Sequence, residues 1–263
     1  MALTLTLTNI FYITIYVMFV LAIIVFITLF RKTAGYGQHY TKKWGFSINN
    51  KLGWILMEIP TVIIYGFFTY LGYLKYGTIP LVPILFFLLW NLHYIQRTFI
   101  FPILIRGRDP MPIMIILMGV IFNGINAYLQ SYWIYILSPS IYSLSWILSV
   151  RFVIGILIFF FGFFINLQSD HIIRNLRPKE STESFQFKIP QGGMFKYVSC
   201  PSYFGEVLEW TGWAIMTWSL AGLVFPIWTF ANLAPRAIKN HKWYQETFTD
   251  YPKERKALIP FVL

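Results

Sequence analysis

Acidic residues are scarce in this chain: ten Asp and Glu among 263 residues, against 21 Lys and Arg, with all charged types together only 12%. Soluble domains carry about twice that charge fraction, so a water-facing globular surface is excluded. The single cysteine, Cys200, excludes an internal disulfide and any multi-cysteine metal site. With no histidine near it in sequence, it reads as a small packing residue rather than a nucleophile. The four histidines, His39, His93, His171 and His241, are too dispersed for the His-rich ligand sets of membrane di-iron oxygenases, and no metal site is expected. No G-x-G-x-x-G follows a strand, and there is no Walker lysine motif. Fixed-period repeats, low-complexity tracts and a separate soluble domain are also missing.

What is abundant is apolar: 57% of residues are hydrophobic and 20% aromatic. A helix crosses the hydrocarbon core with roughly 20 apolar residues. Stretches of that kind run over Asn9–Phe30, Leu52–Leu74, Ile79–Phe101, Met111–Trp133 and Leu144–Asn166. A sixth, Tyr203–Ala234, is too long for one comfortable span and has small residues at its middle, Ser219–Leu223. It reads as a tight helical hairpin, with one long tilted helix as the alternative. The expectation is an all-α integral membrane protein with seven transmembrane helices.

The net charge of +11 is arranged for topology rather than for nucleic acid. Arg31, Lys32, Lys42, Lys43 and Lys51 separate the first two spans, whereas only Lys75 lies before the third. Arg97, Arg106 and Arg108 follow the third span, and only Arg151 lies near the next crossing. Arg174, Arg177, Lys179, Lys188 and Lys196 come next; the hairpin tip has no basic residue, and the tail has Arg236, Lys239, Lys242, Lys253, Arg255 and Lys256. Positive charge marks cytoplasmic loops. The N-terminus is therefore expected outside and the C-terminus in the cytoplasm, and six spans would put the basic tail on the wrong side. The first span lacks a basic n-region and a small-residue cleavage site, so it reads as a retained anchor. Localisation follows as multi-pass membrane: the inner membrane of a bacterium, or the endoplasmic reticulum of a eukaryote. No feature requires an obligate protein partner.

Polar residues at membrane depth need an explanation, because an ion there costs several kcal/mol unless it is paired or reaches water. Glu58 interrupts the second span and Arg97 ends the third. Asn166, Asp170, Arg174 and Arg177 form a stripe at helical spacing where the fifth span closes. Glu206 and Glu209 are three apart at the start of the sixth, and Arg236, Asn240 and Tyr244 share a face at the end of the seventh. On the topology above, these groups converge on the cytoplasmic end. Snorkelling and mutually paired ions are one reading. For the whole set, a bound anionic ligand is favoured, since Arg clamps phosphate with paired N–H donors; a nucleotide-bearing cofactor is one natural candidate. "IPQGGMF" is a turn signal in which Gly192 and Gly193 can take positive φ.

The tail "RAIKNHKWYQETFTDYPKERKALIPFVL", together with "IPQGGMFKYVSCPSYFGEVLEWTGWAIMTWSL" and "GYGQHY", resembles the steroid 5α-reductase family. The resemblance runs from Gly35 to Leu263 and is most specific in "DYPKERKALIPF". It implies one seven-helix domain over 1–263 that reduces the C4–C5 double bond of 3-keto-Δ4 steroids with NADPH. The substrate pocket would lie mainly in 1–133 and the cofactor-binding part mainly in 144–263. Carried over, Glu58 in "MEIP" and Tyr94 in "HYIQRTF" are implied to hold the steroid's C3 carbonyl. Tyr36, Arg97, Arg108, Asn166, Asp170, Arg177, Ser202, Glu206, Arg236, Asn240 and Tyr244 are implied cofactor contacts. The partners implied are an apolar steroid from the bilayer and the lipid itself. Met57 stands where the family often has Gln, "CPSY" where it often has "ANF", Asn240 where His is common, and Phe187 where Tyr is common.

The chemistry needs such a pair. A conjugated enone accepts hydride at its β-carbon when negative charge moves onto the carbonyl oxygen, and donors aimed there stabilise that transition state. Tyr94 donates directly. Glu58 donates only when protonated, the form that an apolar surround favours. The alternatives are a trans-2-enoyl-CoA or polyprenol reductase with the same C-terminal signature, and an isoprenylcysteine-type methyltransferase using S-adenosylmethionine. The last needs no buried acid opposite a tyrosine.

Overall fold

The computed structural model describes residues 2–32, 35, 40–106, 110–177 and 187–263. Seven long helices dominate those residues: α1 (Ala2–Arg31), α2 (Asn50–Tyr76), α3 (Leu81–Ile95), α5 (Ile113–Tyr132), α6 (Val150–Leu176), α7 (Pro201–Thr217) and α8 (Leu220–Thr247). The four-residue α4 (Phe101–Leu104) continues α3 through a π-type turn, Gln96–Ile100. Strands β1 (Ser47–Ile48) and β2 (Met111–Pro112) pair antiparallel. Among the described residues, five helical segments are long and apolar enough to cross a membrane: Leu5–Arg31, Asn50–Tyr76, Leu81–Leu104, Ile113–Leu137 and Val150–Leu176. The chain is therefore an all-α, multi-pass membrane protein.

Local chemistry sets the ends of these elements. Asn49 caps α2, its Oδ1 accepting from the backbone N–H groups of Lys51 at 2.9 Å and Leu52 at 3.3 Å. Gly77, at φ 74°, closes α2 in the left-handed conformation. The long apolar region near the C-terminus is two helices rather than one: α7 stops at Trp218, and Ser219 caps α8 by accepting from Gly222 N–H at 2.9 Å. The break lies at the leading edge of "SLAGL", so Ala221 and Gly222 belong to α8. The fifth apolar segment differs more. Leu144–Leu148 is a 3-10 turn, and α6 begins at Val150 and runs to Leu176. The segment Ser138–Ser149 contains five serines and a proline, whose local hydrogen bonding competes with a regular helix. Met111, expected within the fourth span, pairs in β2 instead. Gly192 and Gly193 take φ 89° and 49°, as expected of that turn.

Packing divides the chain into two units: Met1–Val17 with Ala34–Val153, and Met18–Thr33 with Ile154–Leu263. In the first unit, α2 packs on α5. The bare Cα of Gly119 accommodates the Met57 side chain, leaving no room for a Cβ. Rings of Tyr65 and Trp90 stack at 4.7 Å, and the Tyr135 hydroxyl donates to Pro83 O at 2.8 Å. In the second unit, α6 and α7 meet along glycines. A Cβ on Gly205 would fall 2.6 Å from Gly162 O, and one on Gly212 would fall 2.5 Å from Gly155 O. Seven-residue spacing on both helices keeps these glycines on one seam, where backbones approach as small residues allow in membranes.

Candidate active site

Glu58 lies on α2, one helical turn past Trp54, and is buried. Pro60 follows inside the helix and removes one backbone hydrogen bond there. Thr61 Oγ1 donates to Glu58 O at 2.5 Å, and Trp90 Nε1 on α3 donates to Thr61 O at 3.3 Å. The carboxyl itself is held from α5: Asn123 Nδ2 donates to Glu58 Oε2 at 3.0 Å and to Met57 O at 2.8 Å. Both N–H groups of that amide are thereby used, which fixes its orientation.

Tyr94 lies on α3, one turn beyond Trp90, and is also buried. Its ring centroid is 4.6 Å from that of Trp90 and 4.9 Å from that of His93. The same tryptophan that donates to the Glu58 turn thus seats the Tyr94 ring, so both carbonyl-holding candidates belong to one packed group. The π-type turn begins two residues after Tyr94, and such turns recur at functional sites. Arg97 sits in it, with its guanidinium 5.0 Å from the Trp54 ring and 4.4 Å from the Phe101 ring. Cation–π contact with both rings is one source of stabilisation for that charge. Tyr36 and Arg108 lie outside the described residues.

The other candidates belong to the second unit. Asn166 is buried on α6, and its Nδ2 donates to Ser202 O at 3.4 Å. The glycine seam thus brings Asn166 to the first turn of α7. Asp170 is one turn beyond Asn166 on α6, Glu206 one turn beyond Ser202 on α7, and Arg177 follows the end of α6. On α8, Arg236, Asn240 and Tyr244 are spaced four apart. Asn240 Nδ2 donates to Cys200 Sγ at 3.6 Å, and the Tyr244 ring stacks on Tyr251 at 5.3 Å. Burial pushes the Cys200 thiol up to about 12, which suits a packing role and not a thiolate.

Two constellations escaped the sequence reading. The first is the amide stripe on α5: Asn123, Asn126 and Gln130, all buried. Spacings of three and four within an apolar helix were the available signal. The second is a polar node that fastens the C-terminal tail. Lys256 pairs beside Val198, with Ser199 N–H donating to Lys256 O at 2.8 Å and Lys256 N–H to Tyr197 O at 2.9 Å. Ser199 Oγ lies 2.6 Å from both His241 Nδ1 and Tyr251 OH, and donates to Lys256 O at 3.2 Å. Gln245 Nε2 lies 2.9 Å from His241 Nε2. These contacts are all satisfied when His241 is neutral with its proton on Nδ1. Burial first, and Lys256 second, hold that imidazole below its ordinary range. Next to the node, buried Arg255 donates from Nη2 to Gln191 Oε1 at 2.9 Å, while Nη1 has no hydrogen-bond partner among the described residues.

The family model described as 3-oxo-5-alpha-steroid 4-dehydrogenase matches residues 109–263. Curated relatives match over most of both chains. Steroid 5-alpha-reductase DET2 of Solanum lycopersicum is 40% identical over 265 residues, 97% of each chain. 3-oxo-5-alpha-steroid 4-dehydrogenase 1 of Rattus norvegicus is 39% identical over 231 residues, 87% of this chain and 86% of that one. The chain belongs to the steroid 5α-reductase family. The bovine protein named 3-oxo-5-alpha-steroid 4-dehydrogenase 1 is 46% identical over 171 residues, 65% of each chain. Membership makes this protein an oxidoreductase acting on a CH–CH bond, and the tail-docking node of Ser199, His241 and Tyr251 falls within the part of the chain that the family model matches.

Proposed function

We propose that the protein reduces the C4–C5 double bond of a 3-keto-Δ4 steroid with NADPH, Glu58 and Tyr94 holding the C3 carbonyl oxygen. The observation that carries this reading is the buried Glu58 carboxyl, oriented by the Asn123 amide and tied through Thr61 and Trp90 to the seat of Tyr94. Because Asn123 donates to Oε2, that oxygen acts as the acceptor of the carboxyl group. In the protonated acid the hydrogen then sits on Oε1, and that hydroxyl is the donor to substrate in this reading. The Tyr94 hydroxyl supplies a second donor. Two such donors stabilise the charge that develops on the carbonyl oxygen by roughly 3–6 kcal/mol, one being worth about 3.

NADPH, when bound, supplies the hydride. The residues of the second unit fit such a group. Arg255 is buried, its Nη1 has no hydrogen-bond partner among the described residues, and a buried guanidinium with a spare donor suits a phosphate oxygen. Arg177 and Arg236 add cationic donors, while Asn166, Ser202, Asn240 and Tyr244 offer neutral groups for ribose and amide edges. Asp170 and Glu206 accept from hydroxyl and amide donors. Arg97, and Tyr36 and Arg108 outside the described residues, are cofactor contacts that the family resemblance implies. The helices cross seven times in this reading, with the N-terminus outside and the basic tail in the cytoplasm, where the dinucleotide is found. An apolar steroid enters from the bilayer.

Purified protein in mild detergent tests this reading. NADPH oxidation is expected with a 3-keto-Δ4 steroid and not with a trans-2-enoyl-CoA or a polyprenal. Turnover of the thioester alone would assign the protein to the enoyl-CoA chemistry instead.

A further inference from the structure

Asn126 is a buried amide whose donor has nowhere to go. Its side chain is 1% exposed on α5. Oδ1 accepts from Gln130 Nε2 at 3.2 Å, but Nδ2 has no hydrogen-bond partner among the described residues. A buried unmade donor costs about 1–3 kcal/mol, and hydrocarbon offers no water to relieve it. A leucine would fill the same volume without that cost. Three residues earlier, Asn123 spends both N–H groups, on Met57 O and Glu58 Oε2. The two amides are chemically identical and share one face of α5. Of the two, only Asn126 lacks an acceptor among the described residues, and a ligand oxygen would supply one.

The position limits what that acceptor is. Three residues of α-helix separate Asn126 from Asn123 by about 4.5 Å along the axis. Asn123 holds the Glu58 carboxyl, so one oxygen atom, roughly 3 Å from a donor on that carboxyl and from Asn126 Nδ2, spans that distance. Ala127 and Leu129 are fully buried on the same helix. On a 3-keto-Δ4 steroid, the C3 carbonyl is the only oxygen near the ring that reacts.

We infer that the Asn126 amide is a third donor to the substrate's C3 carbonyl oxygen, beside Glu58 and Tyr94. The inference rests on the carbonyl-holding reading proposed above. It makes Asn126 part of the oxyanion-stabilising set, with Gln130 a positioning residue that grips Oδ1 and turns Nδ2 toward the substrate.

The test uses full-length Asn126→Leu protein in detergent, with Glu58→Ala alongside. The readouts are kcat with a 3-keto-Δ4 steroid, NADPH affinity, and the infrared carbonyl stretch of the bound steroid. The Leu variant is expected to lose about 100-fold or more in kcat, as removal of one oxyanion donor does, while NADPH affinity is kept. The bound carbonyl band moves to higher frequency, because one hydrogen bond to it is gone. Turnover within about threefold of wild type, or an unmoved band, overturns the inference. If Asn126→Leu is active while Glu58→Ala is dead, this inference alone fails; if both are active, the carbonyl-holding reading fails with it. Should Asn126→Leu lose NADPH affinity through misfolding, Asn126→Ser replaces it. Its shorter hydroxyl does not reach, so the same band shift is expected, and an unshifted band overturns the inference.

Discussion

Replacing Glu58 by Gln and by Ala separates two roles that a buried carboxyl can play. If Glu58 acts as a neutral donor, Gln reproduces it: the amide oxygen sits where Oε2 accepts from Asn123 Nδ2 at 3.0 Å, and the amide nitrogen donates from the place of Oε1. The substitution keeps volume, charge state and hydrogen-bond polarity. If Glu58 acts as an anion, Gln and Ala are equally damaging. The neutral-donor account expects Glu58→Gln to keep kcat within about tenfold of wild type, the residual loss reflecting a weaker N–H donor. Glu58→Ala removes the donor, strands one Asn123 N–H and opens a cavity. It is expected to lose about 2.7–4 kcal/mol of transition-state stabilisation, or 10²–10³ in kcat. NADPH oxidation at saturating steroid gives kcat, and equilibrium fluorescence of bound NADPH shows whether the cofactor site is intact in both variants. Glu58→Gln as inactive as Glu58→Ala, with NADPH still bound, would refute the neutral-donor role.

Two further outcomes follow from the second unit. Arg177→Ala is expected to weaken NADPH binding by about 10–100-fold, the 1.5–3 kcal/mol of a hydrogen bond to a charged group, with steroid KM little changed; unaltered NADPH affinity counts against its role. The His241 node sets an acid limit. Its imidazole is held below the ordinary 6.5 in the folded protein by burial and by Lys256, so the unfolded chain takes up the proton first as pH falls. Stability is full above about 6.5, declines below it, and levels off once the folded-state value is passed. A thermal midpoint that is flat from neutral pH into that acid range, or a decline undiminished in His241→Gln, contradicts this.

Much of the fold was legible because its signals are local. The small residues of "SLAGL" marked the hairpin, and Gly192 and Gly193 marked their turn, since only backbone conformation was at stake. Glu58 stood out because an acid in an apolar run is costly enough to notice, whereas Tyr94 was singled out only by the family resemblance. The α5 amides were missed for the opposite reason: Asn123, Asn126 and Gln130 are uncharged and vanish in an accounting of ions, though unmade amide hydrogen bonds in hydrocarbon are costly too. The tail node was hidden by distance along the chain. Ser199 meets His241 and Tyr251 across 42 and 52 residues, and no pattern within a helix or turn announces such a meeting. Arg97 was named a cofactor contact from the family resemblance; its stacking on Trp54 and Phe101 lies at the π-type turn, which no residue in "QRTFI" signals by itself.

The central claim is that hydride reaches the β-carbon of an enone whose carbonyl oxygen is held by Glu58 and Tyr94. It is tested most directly by turnover of a 3-keto-Δ4 steroid with NADPH deuterated at its transferable position. The account predicts a saturated ketone with deuterium at C5 and a solvent-derived hydrogen at C4. Deuterium at C3, as in reduction of the carbonyl itself, or no saturated product, would contradict it.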